Sequence, residues 1–530
     1  MAASGLMRIV PVVGAVALGF CVLSAPARAQ GGEVITGKTA AEEQVIITNA
    51  QAHESRVHRF LSRLFGKAKG DKLQTTGSEV WTVPKEEAAR IKRRLEQLGA
   101  KVTRLREGWN RILEHRKKDT PLTPAQQAVV DKVGKSRETM HVGILEMPDA
   151  AVAELALTRF EESVGTKGRA GPQEDPYAKV LLPLSGGRTV TLVRTRPPVL
   201  NPRGVTWNGE TEDTGERAVL MLWKDGHLSG YFGYKGRVFT VNHLGENVHT
   251  MAEIDPGRLP PDHAPGAKPA SAGQQRDAAP GAEEEAKPLP SPPEPVVAPF
   301  PDAERQALEA KPIVIDVMLL YTNNAAKHYI RDPSDLMALA IEQANETFRN
   351  SGLGNISLRL VHSQLVDYDE TGVGQFEHLY RMVDGFGPFK DLKKLRDEKH
   401  ADIVGLIIDD PDGCGQSTRV GADADEAFFV VHHACAAITY SIAHEVGHIL
   451  GARHDRAVDP SNTPIPYAHG YINGTKWRDM MSYQEGCGGC PRIPYWSNPR
   501  VTYKGEPTGT PASDNARTLL EQAERVSKFR

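Results

Sequence analysis

The chain has 530 residues with 25% charged side chains and a formal net charge of -3. That length calls for roughly two to four domains, and the near-neutral balance argues against nucleic acid or an anionic membrane surface as the main partner. Hydrophobic residues make up 40% of the chain, ordinary for folded protein with buried cores.

Residues 1–29 read as an export signal. Arg8 supplies the basic start, "IVPVVGAVALGFCVLSA" the apolar stretch, and Ala27 to Ala29 an A-x-A cleavage site. Pro11 interrupts the apolar run and small residues follow it, which disfavours a stable membrane anchor. Phe20 before Cys21 fits lipoprotein processing poorly. A secreted or periplasmic protein is expected.

Residues 30–255 form an N-terminal region in two parts. "SEVWTVPKEEAARIKRRLEQLGAKVTRLRE" predicts a βαβ-like strand, helix and strand. Glu86 and Glu87 favour the helix start, Ala89, Ile91, Leu95 and Leu98 fall near one face, and Gly99 ends it. Between residues 180 and 250 the pattern alternates, with Asp225-Gly226 and Lys235-Gly236 at turns, and predicts antiparallel hairpins. His243, His249 and His263 are scattered and read as surface or core histidines without a metal role.

Composition breaks at residues 256–310. Twelve prolines lie between Pro256 and Phe300, with three glutamates at 283 to 285. Such a stretch cannot bury enough apolar surface to fold alone and reads as an extended, protease-accessible linker.

Residues 311–530 predict a second folded unit. "PIVIDVMLLYT" is an apolar strand, and "DLMALAIEQANETFRNSGL" a helix with Leu336, Leu339, Ala340, Ala344 and Phe348 on one stripe. "ISLRLVHSQLVDY" and "HADIVGLIID" are further strands, so an α/β layer with a mostly parallel sheet is expected. After Cys21 leaves with the signal, Cys414, Cys435, Cys487 and Cys490 remain, which suggests disulfides in an exported protein. Three pairings exist; sequence proximity favours Cys414 with Cys435 and Cys487 with Cys490. The rival reading makes "CGGC" half of a structural zinc site.

The densest chemistry is "AHEVGHILGARHD", residues 443 to 455. On a helix His444 and His448 share a face and can reach one zinc ion. Glu445 lies beside that face, placed to take a proton from water. Gly451 can adopt a positive φ, end the helix and return His454 as third ligand. Three protein ligands leave one position open, as catalytic zinc needs. Downstream, "WRDMMSY" adds a methionine.

H-E-x-x-H-x-x-G-x-x-H followed by a methionine turn resembles the metzincin zinc peptidases. "IDVMLLYT", "AIEQANETFRNSGL", "AFFVVHHACAAITYSIAHEVGHILGARHD" and "RIPYWSNPRVTY" resemble the bacterial reprolysin-like peptidases, including the peptidyl-Asp metallopeptidase family, over about residues 310–530. The resemblance implies a metzincin-like catalytic domain of α/β (α+β) class. An upper part would hold a twisted, mostly parallel sheet and the zinc helix, with a small lower part after His454. The N-terminal half before it would be mixed α/β and antiparallel β. The resemblance also implies one catalytic Zn²⁺ and a secreted endopeptidase acting on proteins or peptides. Met481 would form a base beneath the ligands, with Met480 as the alternative. Tyr483 would either donate to a developing oxyanion or simply pack. "CPRIPYWSNPR" would line the specificity pocket, where Arg492 or Arg500 could draw an acidic side chain or stand as ordinary surface arginines.

The N-terminal half then reads as a pro-region that inhibits and chaperones the enzyme. A cysteine switch is excluded, because no cysteine lies between residues 22 and 413. An aspartate or histidine near the linker, such as Asp255 or Asp262, would cap the metal or sit in a solvated loop. Asp409, Asp410, Asp412, Asp423 and Asp425 bracket Cys414 and would bind Ca²⁺ or form an acidic loop. The rival function is a non-catalytic secreted binding or adhesion protein with a degenerate peptidase domain; the intact Glu445 and three histidines argue against it.

Overall fold

The computed structural model describes residues 42–48, 54–65, 71–72, 79–105, 112–117, 120–147, 179–201, 203–264 and 293–530. The export signal at 1–29 and most of the Pro-rich stretch lie outside them.

Near the N-terminus, Glu79–Pro84, Lys85–Gln97 and Lys101–Leu105 form the expected strand, helix and strand. The two strands are not neighbours. Glu42–Thr48 lies between them, antiparallel to both. Ala88, Ile91 and Leu95 pack on Val45, Ile47 and Trp81. The helix stripe thus starts at Ala88, while Ala89 is exposed, because spacings of three and four residues from Leu95 reach 88 and not 89.

Strands from Glu114 to Ile254 build a ten-stranded antiparallel sheet. Its first strand, Glu114–His115, returns beside Lys179–Pro183, and His115 Nε2 donates to Leu184 O at 3.0 Å, so the sheet nearly closes into a barrel. Both expected hairpins are present. Lys235 and Gly236 have φ of 53° and 73°, the paired positive angles that a two-residue turn needs to match strand twist.

The strand Arg217–Trp223 is apolar on both faces. Ala218, Leu220 and Leu222 fill the barrel, whereas Val219, Met221 and Trp223 join the core of the C-terminal half together with Tyr231. A second tie is electrostatic. Glu346, 3% exposed on the helix Ser334–Asn350, accepts from Arg217 and, at 3.4 Å, from Arg196.

The C-terminal half holds a five-stranded sheet in the order Ile356–Val366, Ile313–Thr322, Ile403–Ile408, Phe428–His432, Gly415–Ser417. The first four pair in parallel and the last runs antiparallel at the edge. Among the described residues strand pairing is therefore mostly antiparallel, and the expected parallel pairing is confined to these four strands. Residues of Ile313–Thr322 alternate between two cores. Ile315, Val317 and Leu319 face the helix Ser334–Asn350, and Met318 and Leu320 face Leu379 and Met382 of Gln375–Asp384. After His454 come two short ribbons and the helix Asn515–Val526.

Composition predicts that Pro256–Ala264 is linker, yet Pro260 and His263 are buried. A Pro-rich segment cannot make a core, but it can be ordered by a cleft that already has one.

The Glu346 contact yields a stability prediction. Glu346→Ala leaves the half-buried Arg217 without its counter-charge and should lower the stability of the full-length chain by roughly 2 kcal/mol. The denaturant midpoint measures this; an unchanged midpoint would mean that the apolar contact alone joins the two halves.

Candidate metal centre and cleft

The helix Ser441–Ile449 lies wholly buried under the edge of the sheet. It ends where Gly451, with φ of 103°, turns the chain back and its N–H donates to His448 O at 2.8 Å. The turn brings His454 to the helix face. His454 Nε2 lies 3.3 Å from His444 Nε2 and 3.0 Å from His448 Nε2.

A fourth imidazole completes the group, from a residue that the sequence reading set aside as a surface or core histidine. His263 Nε2 lies 3.2 Å from His454 Nε2. His263 does not stay apart with His243 and His249; all four nitrogens of His263, His444, His448 and His454 converge, and all four residues are buried. The one signal available was a lone histidine in "PPDHAP", inside a linker otherwise lacking histidine.

The opposite ring atoms settle which way the lone pairs point. His444 Nδ1 donates to Met480 O at 3.1 Å, His448 Nδ1 to Ala452 O at 2.9 Å and His263 Nδ1 to Gly415 O at 2.5 Å. With the proton on Nδ1, each Nε2 lone pair faces inward. Burial pushes all four imidazoles toward the neutral form, His448 to about 3. Lone pairs facing one another repel, so the arrangement needs a cation at its centre. Bonds of about 2.0 Å in a tetrahedron place nitrogens about 3.3 Å apart, which matches the three separations. The residues fit zinc.

Glu445 is 1% exposed, and its Oε2 accepts from Ser417 Oγ at 2.6 Å. Burial raises its carboxyl to about 8, against the lowering effect of the Ser417 hydrogen bond. Oε1, the other oxygen, faces the cleft 3.9 Å from His263 Nδ1. Ser417 sits on the edge strand and was not singled out in the sequence.

The methionine turn lies beneath. A Cβ added at Gly447 would meet the Trp496 ring at 2.6 Å and Met481 Sδ at 3.2 Å, so Met481 and Trp496 press on the bare side of the zinc helix. Met480 is buried too, and its carbonyl holds His444. Asp479, also missed, ties the turn together. It accepts from Met481 N, Ser482 N and Ser482 Oγ at 3.2, 2.9 and 2.6 Å, and burial raises its carboxyl to about 6. The Tyr483 ring lies tilted against those of His454 and His263, with centroids 4.3 and 5.6 Å away. Burial, with Asp262 and Glu445 nearby, pushes the Tyr483 pKa up, so its hydroxyl stays a donor.

The two arginines separate. Arg500 is spent on Asp514 in a bidentate pair at 2.6 and 2.8 Å. Arg492 faces the cleft. It donates to Thr439 O at 3.0 Å and to Asp262 Oδ2 at 2.7 Å. Asp262 is therefore not a free loop residue, while Asp255 caps Gly257 and pairs with Arg237 away from the histidines. Cys414 is bonded to Cys435 and Cys487 to Cys490, so "CGGC" is spent on its own bridge and is not part of a zinc site. Asp409 turns to Lys132, His328 and His433, and Asp423 pairs with Arg419. Among the described residues the five aspartates form no convergent oxygen group.

Residues 311–497 match the sequence profile of a family described as Metallo-peptidase family M12, Reprolysin_5. A peptidyl-Asp metalloendopeptidase of Xanthomonas campestris pv. campestris is 30% identical over 403 residues, covering 72% of this chain and 90% of the relative. Another, from Stenotrophomonas maltophilia strain R551-3, is 30% identical over 369 residues, covering 65% and 81%. The chain belongs to this reprolysin-like metalloendopeptidase family. Membership implies zinc, in accord with the histidine cluster. A crystal structure of metalloproteinase-II from Bacteroides fragilis aligns over 65% of this chain and 90% of that one, at 14% identity and a TM-score of 0.34.

Gly447→Ala tests the packing under the site. The methyl group has no room against Trp496 and Met481, and a loss of about 1–3 kcal/mol is expected, with weaker zinc retention against a chelator. A variant with the wild-type midpoint and zinc content would show that the turn yields easily.

Proposed function

We propose that the chain is the precursor of an exported zinc endopeptidase that cuts proteins beside acidic residues. The observation that carries this is three inward-facing neutral imidazoles, His444, His448 and His454, next to a buried carboxyl with one oxygen free. The export pattern at 1–29 and two disulfides support passage into an oxidising compartment. No helix among the described residues is long and apolar enough to cross a membrane.

Bound zinc would polarise the scissile carbonyl and make a neighbouring water acidic. The chain's residues do the rest. The edge strand Gly415–Ser417 aligns the substrate backbone as an added strand. Ser417 Oγ holds Glu445 Oε2, which leaves Oε1 to take a proton from the attacking water and pass it to the leaving amine. A divalent cation beside Glu445 favours its ionised form, offsetting the desolvation that raises it. Tyr483 would donate its hydroxyl to the oxyanion. Arg492, flanked by Arg478, receives the acidic side chain, a role supported by its contact with Asp262. The relatives' name, peptidyl-Asp, agrees with that pocket. The barrel and the small N-terminal sheet serve as pro-region.

Two measurements on processed enzyme check the assignments. Glu445→Ala should lower kcat by at least about 100-fold with zinc content unchanged; retained hydrolysis would remove Glu445 from the role. Arg492→Met should cut kcat/KM for an Asp-containing peptide by at least about 100-fold while its Asn counterpart changes little; an unaltered preference would place acid recognition elsewhere. A binding protein with a degenerate peptidase domain would instead hydrolyse neither peptide.

A further inference from the structure

We propose that Asp262-His263 is a latency clip, in which the precursor closes its own metal site with a histidine and its own acidic pocket with an aspartate. The proposal rests on the zinc-peptidase reading and adds how the site is kept shut.

Four observations carry it. His263 Nε2 joins the other three inward nitrogens, and its ring lies 5.4, 5.8 and 5.1 Å from those of His444, His448 and His454. Its Nδ1 is spent on Gly415 O at 2.5 Å, so its lone pair is aimed at the centre. A four-nitrogen set is closed; a three-nitrogen set keeps a position for substrate. His263 therefore fills the position that chemistry requires.

The backbone follows the same logic. Pro261 O accepts from Cys414 N at 2.8 Å and Asp262 O from Gly415 N at 3.2 Å. The segment adds itself to the unpaired edge of the five-stranded sheet, the edge a substrate needs. The approach is close enough that a Cβ at Gly413 would lie 2.3 Å from Ala264 N. Only glycine at 413 lets the segment seat this deeply. Asp262 then meets Arg492 at 2.7 Å, a charge-assisted contact that fills the acidic subsite.

The clip is tethered at short range. The last barrel strand, Val248–Ile254, ends nine residues before His263, and the barrel is anchored on the C-terminal half through Arg217 and Glu346. While the chain is whole, closure is intramolecular and its effective concentration is high. Cleavage between the clip and the catalytic half makes barrel and clip a separate inhibitor that can diffuse away. Proline-rich sequence after His263 suits such a cut.

The test uses full-length precursor carrying Glu445→Ala, so that the linker stays uncut, loaded with cobalt(II) in place of zinc. The visible spectrum and the binding of acetohydroxamate, a small chelating probe, are read with and without His263→Ala. Removing His263 should change the cobalt spectrum and tighten probe binding by at least about 100-fold, with one metal retained per chain. Gly413→Ala, which displaces the segment by steric contact and keeps every ligand, should shift both readouts the same way, and guards against misfolding of the first variant. Equal probe binding in all three chains, or an unchanged spectrum, overturns the clip. Failure of the intact precursor, the His263→Ala chain and the Gly413→Ala chain alike to hold the metal would instead overturn the zinc-peptidase reading itself.

Discussion

Everything at the centre depends on four imidazoles whose lone pairs point at one another. Such a cluster is unstable alone, because buried neutral rings with inward lone pairs repel and lack hydrogen-bond partners. The structure holds it by occupying each outer nitrogen it can. Met480 O, Ala452 O and Gly415 O take the Nδ1 protons of His444, His448 and His263. Those three carbonyls belong to the methionine turn, the glycine return after the helix and the sheet edge, so three separate parts of the fold converge on a single tautomer.

The rest of the C-terminal half serves that convergence. Its parallel strands bury the zinc helix from one side, and Trp496 and Met481 close on Gly447 from below. Asp479 fixes the turn that carries Met480 and Met481. The barrel adds a second layer of support through Val219, Met221 and Trp223. Tyr231 of the barrel donates to Tyr440 at the start of the zinc helix, at 3.4 Å. The N-terminal half thus contacts both the start of this helix and, through Pro261 and Asp262, the cleft edge.

Much of the site was legible because its residues are close in sequence. His444, Glu445, His448, Gly451 and His454 lie within eleven positions, and helix periodicity alone places two of them on one face. The antiparallel hairpins were legible from alternation and turn residues. His263 was not, since it reaches the site from 181 positions before His444 and neither periodicity nor spacing links distant loops. The split sheet was missed because its middle strand comes first in sequence. The strand "RAVLMLW" did carry a clue to the barrel contact: an unbroken apolar run means two buried faces. Proline content marks a stretch expected not to fold alone, but it says nothing of whether a neighbour will order part of it, as at Pro260 and His263.

The most direct test of this account is X-ray absorption at the zinc edge on purified, uncut full-length chain. The account predicts one zinc per chain bound by four imidazole nitrogens, without sulfur ligands. Three nitrogens and an oxygen in the uncut chain would contradict the closed site, and a chain without zinc would contradict the centre as a whole.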